Sequence, residues 1–260
     1  MNTSEKCRVV IDSEKCIGCG LCKSDCVGFD IEIVDGKAVA RGASCIGCGH
    51  CEAICPKGAI HIEGFSDETE EFENQVRLDP KTLMDAIKTR RTIRQFTDEK
   101  VPKEIIDMII EAGRLAPTGA NSQGTSYIVL DQKKAECEKV AVSIFSKAIN
   151  AGKKFIPALK NMNIDENFFF KKAPLVIVIF GKDKVSASLA AQNMAFMAEA
   201  NNLGVLFSGF FTTCIGLSGK IRKILGITKK AKPVTTLVIG YPSVKYHRTI
   251  HRKPAKVSYM

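Results

Sequence analysis

The sequence lacks a long apolar run. Its cleanest stretch, Pro174 to Gly181, falls well short of the ~20 residues that span a bilayer. The opening Met-Asn-Thr-Ser-Glu-Lys-Cys-Arg has no apolar signal core behind its charges. Neither export nor membrane insertion is expected, and the expected address is the cytoplasm. Mucin-like, linker-like and prion-like tracts are also missing; 45% hydrophobic and 25% charged residues, with 20 Gly and 9 Pro, describe an ordinary globular chain. No G-x-G-x-x-G follows a strand pattern. Gly216-Leu-Ser-Gly-Lys220 has neither the spacing nor the final Ser/Thr of a P-loop, so a dedicated Rossmann NAD site is not supported. No Ser/His/Asp or Cys/His set calls for a nucleophilic role. No stripe of alternating aromatic and basic residues suggests a nucleic-acid track. Cysteine, finally, is almost absent from the second part of the chain: of 11 Cys, nine lie in the first 55 residues and only Cys137 and Cys214 lie beyond.

At 260 residues the chain is long enough for roughly two domains, and its charge divides it in the same place as its cysteines. Residues 1–65 hold 7 basic and 9 acidic side chains, residues 66–80 hold 1 and 6, and residues 81–260 hold 30 and 13. A module of net +17 attracts phosphate, an acidic partner or nucleic acid, and composition does not choose among them. The expected organisation is a cysteine-rich module over 1–65, an acidic tether over 66–79 and a basic module over 80–260. An acidic strap lying on the basic module is the alternative reading of the tether.

Two segments of the first module repeat at an offset of 29 residues: Cys16-Ile-Gly-Cys-Gly-Leu-Cys-Lys-Ser-Asp-Cys26 and Cys45-Ile-Gly-Cys-Gly-His-Cys-Glu-Ala-Ile-Cys55-Pro56. Each reads C-x2-C-x2-C-x3-C, the spacing of bacterial ferredoxins, in which three thiolates wrap one 4Fe-4S cube and the fourth reaches the other. The geometric reason is that closely spaced thiolates in a tight loop cover three corners of a cube. Gly18, Gly20, Gly47 and Gly49 let the backbone come close. The fourth corner comes from a distant segment. The expected sets are Cys16, Cys19, Cys22 and Cys55 for one cluster, and Cys45, Cys48, Cys51 and Cys26 for the other. Val27 stands where the first repeat would carry Pro, a departure that touches the turn after Cys26 rather than ligation. Paired C-x2-C motifs also bind zinc, but there the pairs are separated, whereas here four Cys run together, twice. His50 reads as a neighbour of the cluster and Cys7 as a half-buried thiol of the first strand. Arg8-Val-Val-Ile and Ala59-Ile-His-Ile are expected as outer strands, with a hairpin around Asp35-Gly36 between them.

The second module has mixed α and β patterning, which suggests a central sheet covered by helices. Asp79-Pro80 opens a helix whose buried face is expected at Leu83, Ala86 and Ile87. Another helix follows Pro102. Strands are expected at 126–130, 175–180 and 235–239, and helices near 132–149, 186–201 and 219–225. Met194 and Met197 read as core. The segment 150–172, with Phe168-Phe-Phe170, reads as a loop packing three rings, or else as a lid over a substrate. By charge alone, Arg90, Arg91 and Arg94 with Thr92 form either an anion site or a solvated helix end.

The wider pattern decides between these. Arg90-Arg91-Thr92-Ile-Arg94 followed by Ala116-Pro-Thr-Gly-Ala-Asn121-Ser-Gln123 resembles the FMN-binding segments of the nitroreductase family. Glu199-Ala-Asn-Asn-Leu-Gly204-Val-Leu-Phe-Ser208-Gly209 is similar to its segment beside the flavin ring, and Gly240-Tyr-Pro with His247-Arg248-Thr-Ile-His-Arg252-Lys253-Pro254 to its phosphate-binding end. The resemblance covers about residues 80–260. It implies an α+β fold with a central mixed sheet, joined here to a small ferredoxin-like domain. It further implies FMN held by Arg90, Arg91 and Thr92 with Arg252, Arg248 or Lys253 at the phosphate and ribityl chain. Arg94 and Asn121 are implied at the pyrimidine edge, Gln123 of the same segment as a further FMN contact, and Ser208 and Gly209 at the N5 edge. A cation near N1 and O2 would favour the reduced anionic flavin. A homodimer with FMN between subunits is also implied. The expected function is transfer of electrons from a low-potential donor, reduced ferredoxin or flavodoxin ahead of NAD(P)H, through two 4Fe-4S clusters and FMN. The expected acceptor is a nitroaromatic, quinone or activated alkene. A carrier that passes electrons to a partner protein is the alternative, and no nucleic acid or membrane is expected as a partner.

Overall fold

The computed structural model describes residues 7–153 and 155–260, and the chain divides into two compact units. The first runs to Arg77 and takes in Gly119–Ser122; the second is Leu78–Thr118 with Gln123–Met260.

The first unit is built twice over. Strand β1 (Arg8–Ile11), helix α1 (Leu21–Ser24), the hairpin β2 (Ile31–Val34) and β3 (Lys37–Ala40), helix α2 (His50–Ala53) and strand β4 (Ile60–Glu63) follow one another. β1 pairs antiparallel with β4, Arg8 opposite Glu63, and β2 with β3, Ile31 opposite Ala40. The hairpin turn is Asp35-Gly36, both with positive φ (48° and 74°), which the tight turn between twisted strands demands. A side chain at Gly18 could not be fitted, since its Cβ would lie 2.0 Å from the Gly36 carbonyl oxygen. Asp30 is buried and accepts from the N–H groups of Gly42, Ala43 and Ser44 at 3.1, 2.8 and 2.9 Å, which fixes the approach to Cys45. Burial works to raise its pKa, but those donors outweigh it and hold the carboxyl below its ordinary range.

The second unit is a four-stranded sheet in the order β5 (Thr125–Leu130), β6 (Leu175–Gly181), β8 (Pro233–Gly240), β7 (Gly204–Phe207), with each neighbouring pair antiparallel. A parallel bridge between Thr92 and Val205 makes the sheet mixed at its edge, Ile93 N–H donating to the Val205 carbonyl at 3.1 Å. β6 is buried at every position, and its residues alternate between two cores. Leu175, Ile177 and Ile179 meet α4 (Lys103–Arg114) and α6 (Lys184–Ala200) through Ile109 and Met194. Val176, Val178 and Phe180 meet α5 (Lys134–Gly152), α7 (Gly209–Leu217) and α8 (Gly219–Ile224) through Cys137, Phe211 and Ile221. This is the strand alternation of period two with helices on both faces.

Three expectations need correction. Helix α3 (Pro80–Thr89) forms with Asp79 as its cap, Thr82 N–H donating to Asp79 Oδ2 at 2.7 Å, but its apolar stripe is not buried. Leu83, Met84 and Ile87 are 39%, 49% and 46% exposed and Ala86 is exposed too; among the described residues none buries that face. β7 and α7 were not expected as elements: β7 is only four residues long, and α7 carries only Thr212 and Thr213 as polar residues and exposes Phe210 and Leu217, so neither shows a clear period. After Gly240 the chain has no regular structure. No helix among the described residues is long and apolar enough to cross a membrane.

Candidate functional site

In the first unit the eight repeat cysteines separate into two groups of four around two cavities. One is lined by Cys16, Cys19, Cys22 and Cys55, the other by Cys26, Cys45, Cys48 and Cys51. Each encloses about 350 Å³ of empty space including its mouth. This is the crossed grouping expected from the spacing. Gly20 and Gly49, each with φ near 78°, turn the chain into α1 and α2, so that Cys22 and Cys51 point back into the cavities from the first turns.

The donor set suits a cube better than a single ion. Among the described residues no three Cys, His, Asp or Glu side chains converge on one point, as tetrahedral zinc requires; the thiols instead ring a space several ångströms across. Backbone N–H groups already aim at sulfur: Ala38 at Cys16, Asp30 at Cys26 and Ala59 at Cys55, each at 3.3 Å, and Gly47 at Cys45 at 3.4 Å. Such bonds stabilise thiolate and tune cluster potential. Ala38 N–H holds the Cys16 thiol below its ordinary pKa, whereas burial pushes Cys51 up to about 11. A thiol of that kind ionises readily only beside a metal charge. His50 lines the second cavity but turns Nδ1 to Asp25 at 3.1 Å, and Cys7 is half-buried.

Asn121 lies in this unit. Its side-chain N–H groups donate to the carbonyls of Gly47, at 2.7 Å, and Ile46, at 3.4 Å, so it braces the loop that carries Cys45 and Cys48. Ala120, Asn121 and Gln123 all have positive φ, and Gln123 N–H donates to Thr118 Oγ1 at 3.1 Å.

The remaining predicted residues of the second unit fall in two cavities and an extended tail. Arg90 and Arg91 line a space of about 1110 Å³ with Glu199, Gly204 and Tyr246. Arg90 Nε meets Glu199 Oε1 at 3.0 Å; burial raises the Glu199 pKa, and Arg90 opposes that. Arg91 donates to the carbonyls of Arg90 and, at 2.7 Å, Lys88, closing the end of α3, while its Nε is buried without a protein partner. An orphaned guanidinium N–H is what an anionic ligand would satisfy. Thr92 lies in the bridge to β7, where Gly204 is required: a Cβ there would sit 2.3 Å from Ile93 Cγ1.

Arg94, Ser208 and Gly209 line a second space, of about 1150 Å³, walled by Phe168, Phe169 and Phe210. The Ser208 backbone is used inside the fold, its N–H on Thr236 O at 2.8 Å and its carbonyl by Thr212. Gly209, at the start of α7, faces open space, so a flat ring can approach its backbone. These two cavities suit a phosphate-bearing flavin: cations at one, an apolar wall and an open glycine at the other. Arg248, Arg252 and Lys253 are exposed in the tail and line neither cavity of their own chain.

The sequence reading placed the rings of Phe168, Phe169 and Phe170 in a packed loop or a lid and did not join them to the cavity of Arg94. Phe169 and Phe170 are buried, and Phe168 packs on Phe145 and Phe210 at 5.5 and 6.3 Å between ring centroids. Of the two readings of the Phe-Phe-Phe run, a packed loop or a lid, packing describes the buried Phe169 and Phe170, while Phe168 is half-buried and lines the cavity. Glu138, from α5, accepts the Phe169 and Phe170 N–H groups at 3.0 and 2.7 Å, a contact no local pattern announces.

Comparison with known proteins places these features. Residues 87–241 match the model of the nitroreductase family, and residues 8–56 match a 4Fe-4S dicluster domain. The chain is 27% identical over 191 residues to iodotyrosine deiodinase 1 of Rattus norvegicus, covering 66% of each chain. It is 23% identical over 170 residues to an NADPH-dependent oxidoreductase of Staphylococcus haemolyticus, covering 62% of this chain and 65% of that one. It thus spans slightly less than two thirds of both relatives. Among solved structures, a nitroreductase with bound FMN from Desulfitobacterium hafniense superposes with a TM-score of 0.57 at 22% identity, over 70% of this chain and all of that one. An FMN-dependent nitroreductase from Clostridium difficile superposes at 0.53 and 18%. These two likenesses establish the fold.

Proposed function

Because the chain belongs to the nitroreductase family and carries a 4Fe-4S dicluster domain ahead of that module, we propose that it carries electrons from a low-potential donor to an electrophilic organic acceptor, using two 4Fe-4S clusters and FMN. The observation that carries this reading is the sorting of eight cysteines into two four-thiolate cavities in the same chain as a basic, aromatic-walled cavity of nitroreductase fold. The clusters supply one-electron steps and FMN supplies the two-electron step. The chain's own residues do the rest. Arg90, Arg91 and Thr92 are the candidate holders of the phosphate end, and Arg94 supplies positive charge at the ring cavity. Gly209 leaves room for the ring, and Phe168, Phe169 and Phe210 give the acceptor an apolar face. A nitro group needs two electrons and two protons to become nitroso and water; among the described residues no carboxylic acid or imidazole lines the cavity, and water or a backbone group is the proposed proton source.

A homodimer completes this picture. The exposed stripe of α3 and the tail bearing Arg248, Arg252 and Lys253 are the surfaces that a second copy would cover, and the tail would bring its cations to that copy's phosphate end. The donor we favour is reduced ferredoxin or flavodoxin, with NAD(P)H second. The carrier reading is disfavoured by the cavity being open beside Gly209 rather than closed over.

The test is an anaerobic absorbance titration: reduce the purified protein chemically, add a nitroaromatic or a quinone, and follow flavin and iron-sulfur bands together. Return of both bands supports the reductase reading. A protein without flavin, or reduced bands that persist against every small acceptor, refutes it and favours the carrier.

A further inference from the structure

We propose that the acceptor is an aromatic anion, and that Lys171 is the residue that selects it. The inference rests on the reading of the Arg94 cavity as the flavin and acceptor site, and it names the substrate class.

Among the described residues lining that cavity two are cationic, Arg94 and Lys171, and none is acidic. Arg94 is assigned above to the flavin ring, which leaves Lys171 as the spare charge. It is held in place with unusual care. Its ammonium lies 4.7 Å from the centroid of the Phe168 ring, a contact that directs it along the aromatic wall. Its backbone, and that of Lys172, have positive φ (51° and 62°), a costly conformation for non-glycine residues that persists where the surroundings over-determine it. The surroundings here do so. Glu138 clamps the Phe169 and Phe170 N–H groups, and Ser208 Oγ donates to the Phe169 carbonyl at 3.3 Å. Lys134 Nζ donates to the carbonyls of Ala173 and Pro174 at 2.6 and 3.2 Å. Lys171 N–H donates to Asn167 O at 2.8 Å. The turn is pinned on both sides of Lys171, by the buried Glu138 and Ser208 and by the half-buried Lys134 and Asn167. A ring stacked between aromatic walls with a carboxylate at its rim matches that arrangement of apolar surface and one fixed cation.

The test compares 4-nitrobenzoate with its uncharged methyl ester as acceptors, under anaerobic turnover with reduced methyl viologen as donor. Two viologen electrons and two protons convert each nitro group to nitroso and water. The wild-type protein is expected to favour the acid in kcat/KM. In K171A the acid-to-ester ratio should fall about tenfold, one unit charge in a partly shielded site, through KM rather than kcat. K171R should preserve the ratio and K171E should invert it. FMN affinity, read by quenching of flavin fluorescence, should hold in K171A. A wild-type ratio at or below that of K171A overturns the proposal, as does a K171A loss shared equally by both acceptors. Weakened FMN binding with an unaltered ratio would assign Lys171 to the flavin and overturn it also. If neither acceptor is reduced, the flavin-reductase reading itself fails.

Discussion

Glu138 offers a sharp test of how the aromatic wall is built. Its carboxylate is 7% exposed and accepts two backbone N–H groups, from Phe169 and Phe170, residues that are themselves 2% and 0% exposed. In E138A neither water nor another side chain can replace that acceptor. Each orphaned N–H costs about 1–3 kcal/mol, so the loss should be about 3–5 kcal/mol once incomplete relaxation is allowed for. E138Q keeps a carbonyl oxygen at the same reach and should lose about 1 kcal/mol or less. The pH dependence follows from burial, which raises the Glu138 pKa against the opposing pull of the Phe170 and Phe169 N–H groups and of Lys134. The folded state therefore holds its proton to higher pH than the unfolded chain, whose carboxyl titrates near ~4.3. That contribution to stability is full below the unfolded value and is lost as pH rises through the folded one. Wild type should lose stability relative to E138Q as pH climbs from about 4.3 toward neutrality. Urea unfolding followed by circular dichroism at the helix band measures this, because among its described residues the first unit has only two four-residue helices and the signal reports the second. An E138A protein within about 1 kcal/mol of wild type, or a wild-type to E138Q difference that is flat with pH, would refute the clamp.

The other predictions concern the clusters, the bridge and the exposed helix. C19S and C48S each strike a different cavity, so each should remove one cluster and about half of the iron and sulfide; iron analysis with electron paramagnetic resonance checks this, and loss of all iron in both variants would show that the cavities are not independent. G204A places a Cβ against Ile93 and should cost about 1–3 kcal/mol by overpacking. Because Ile93 and Thr92 move together, FMN binding should weaken as well, as fluorescence titration would show. L83E with I87E puts charge on the exposed stripe of α3. Sedimentation should then give a monomer where wild type gives a dimer, and an unaltered dimer would place the interface elsewhere.

What could be read from the sequence follows the range over which each signal acts. The grouping of the cysteines that line the two cavities was legible, because ligand loops are local and the long-range step, Cys55 to the first loop and Cys26 to the second, follows from the shortage of a fourth corner. β6 was legible too: Leu175–Gly181 is apolar throughout, and a strand covered on both faces has no polar side to interrupt the run. α7, Gly209–Leu217, is nearly as apolar yet helical: its exposed face carries Gly209, Phe210, Thr213, Gly216 and Leu217, mostly not polar, so little in its composition marks a helical period. α3 fails in the opposite direction. Its stripe is well marked, but a stripe states only that a face is to be covered, and not by which chain. Asn121 is different again: as a residue of a flavin-like motif it was expected at the pyrimidine edge, and its partners here are two carbonyls of the Cys45–Cys48 loop. A side-chain amide serves either purpose, and nothing local distinguishes them.

The crossed grouping of cysteines also bears on what holds the first unit together. Its core consists of Ile31, Ala38, Ala59, Ile60 and Ile62 with Cys16, Cys22 and Cys51, few large side chains for so long a segment. Three of those eight core residues are thiols whose sulfur lines a cavity rather than filling it. A core of that size rarely supplies more than about 3–5 kcal/mol, and two cavities of about 350 Å³ cut into it. On the proposed ligation the clusters would be part of the packing as well as of the chemistry. Each would tie a ligand loop of one repeat to the closing cysteine of the other, so that binding free energy becomes folding free energy. It also explains why the polar devices of this unit converge on the ligand loops. Asp30 fixes the approach to Cys45, Asn121 fixes the turn after it, and the N–H groups of Ala38, Asp30 and Ala59 are aimed at sulfur. These contacts order the thiolates in advance, which lowers the entropy lost when iron binds and sets the hydrogen bonds that tune its potential.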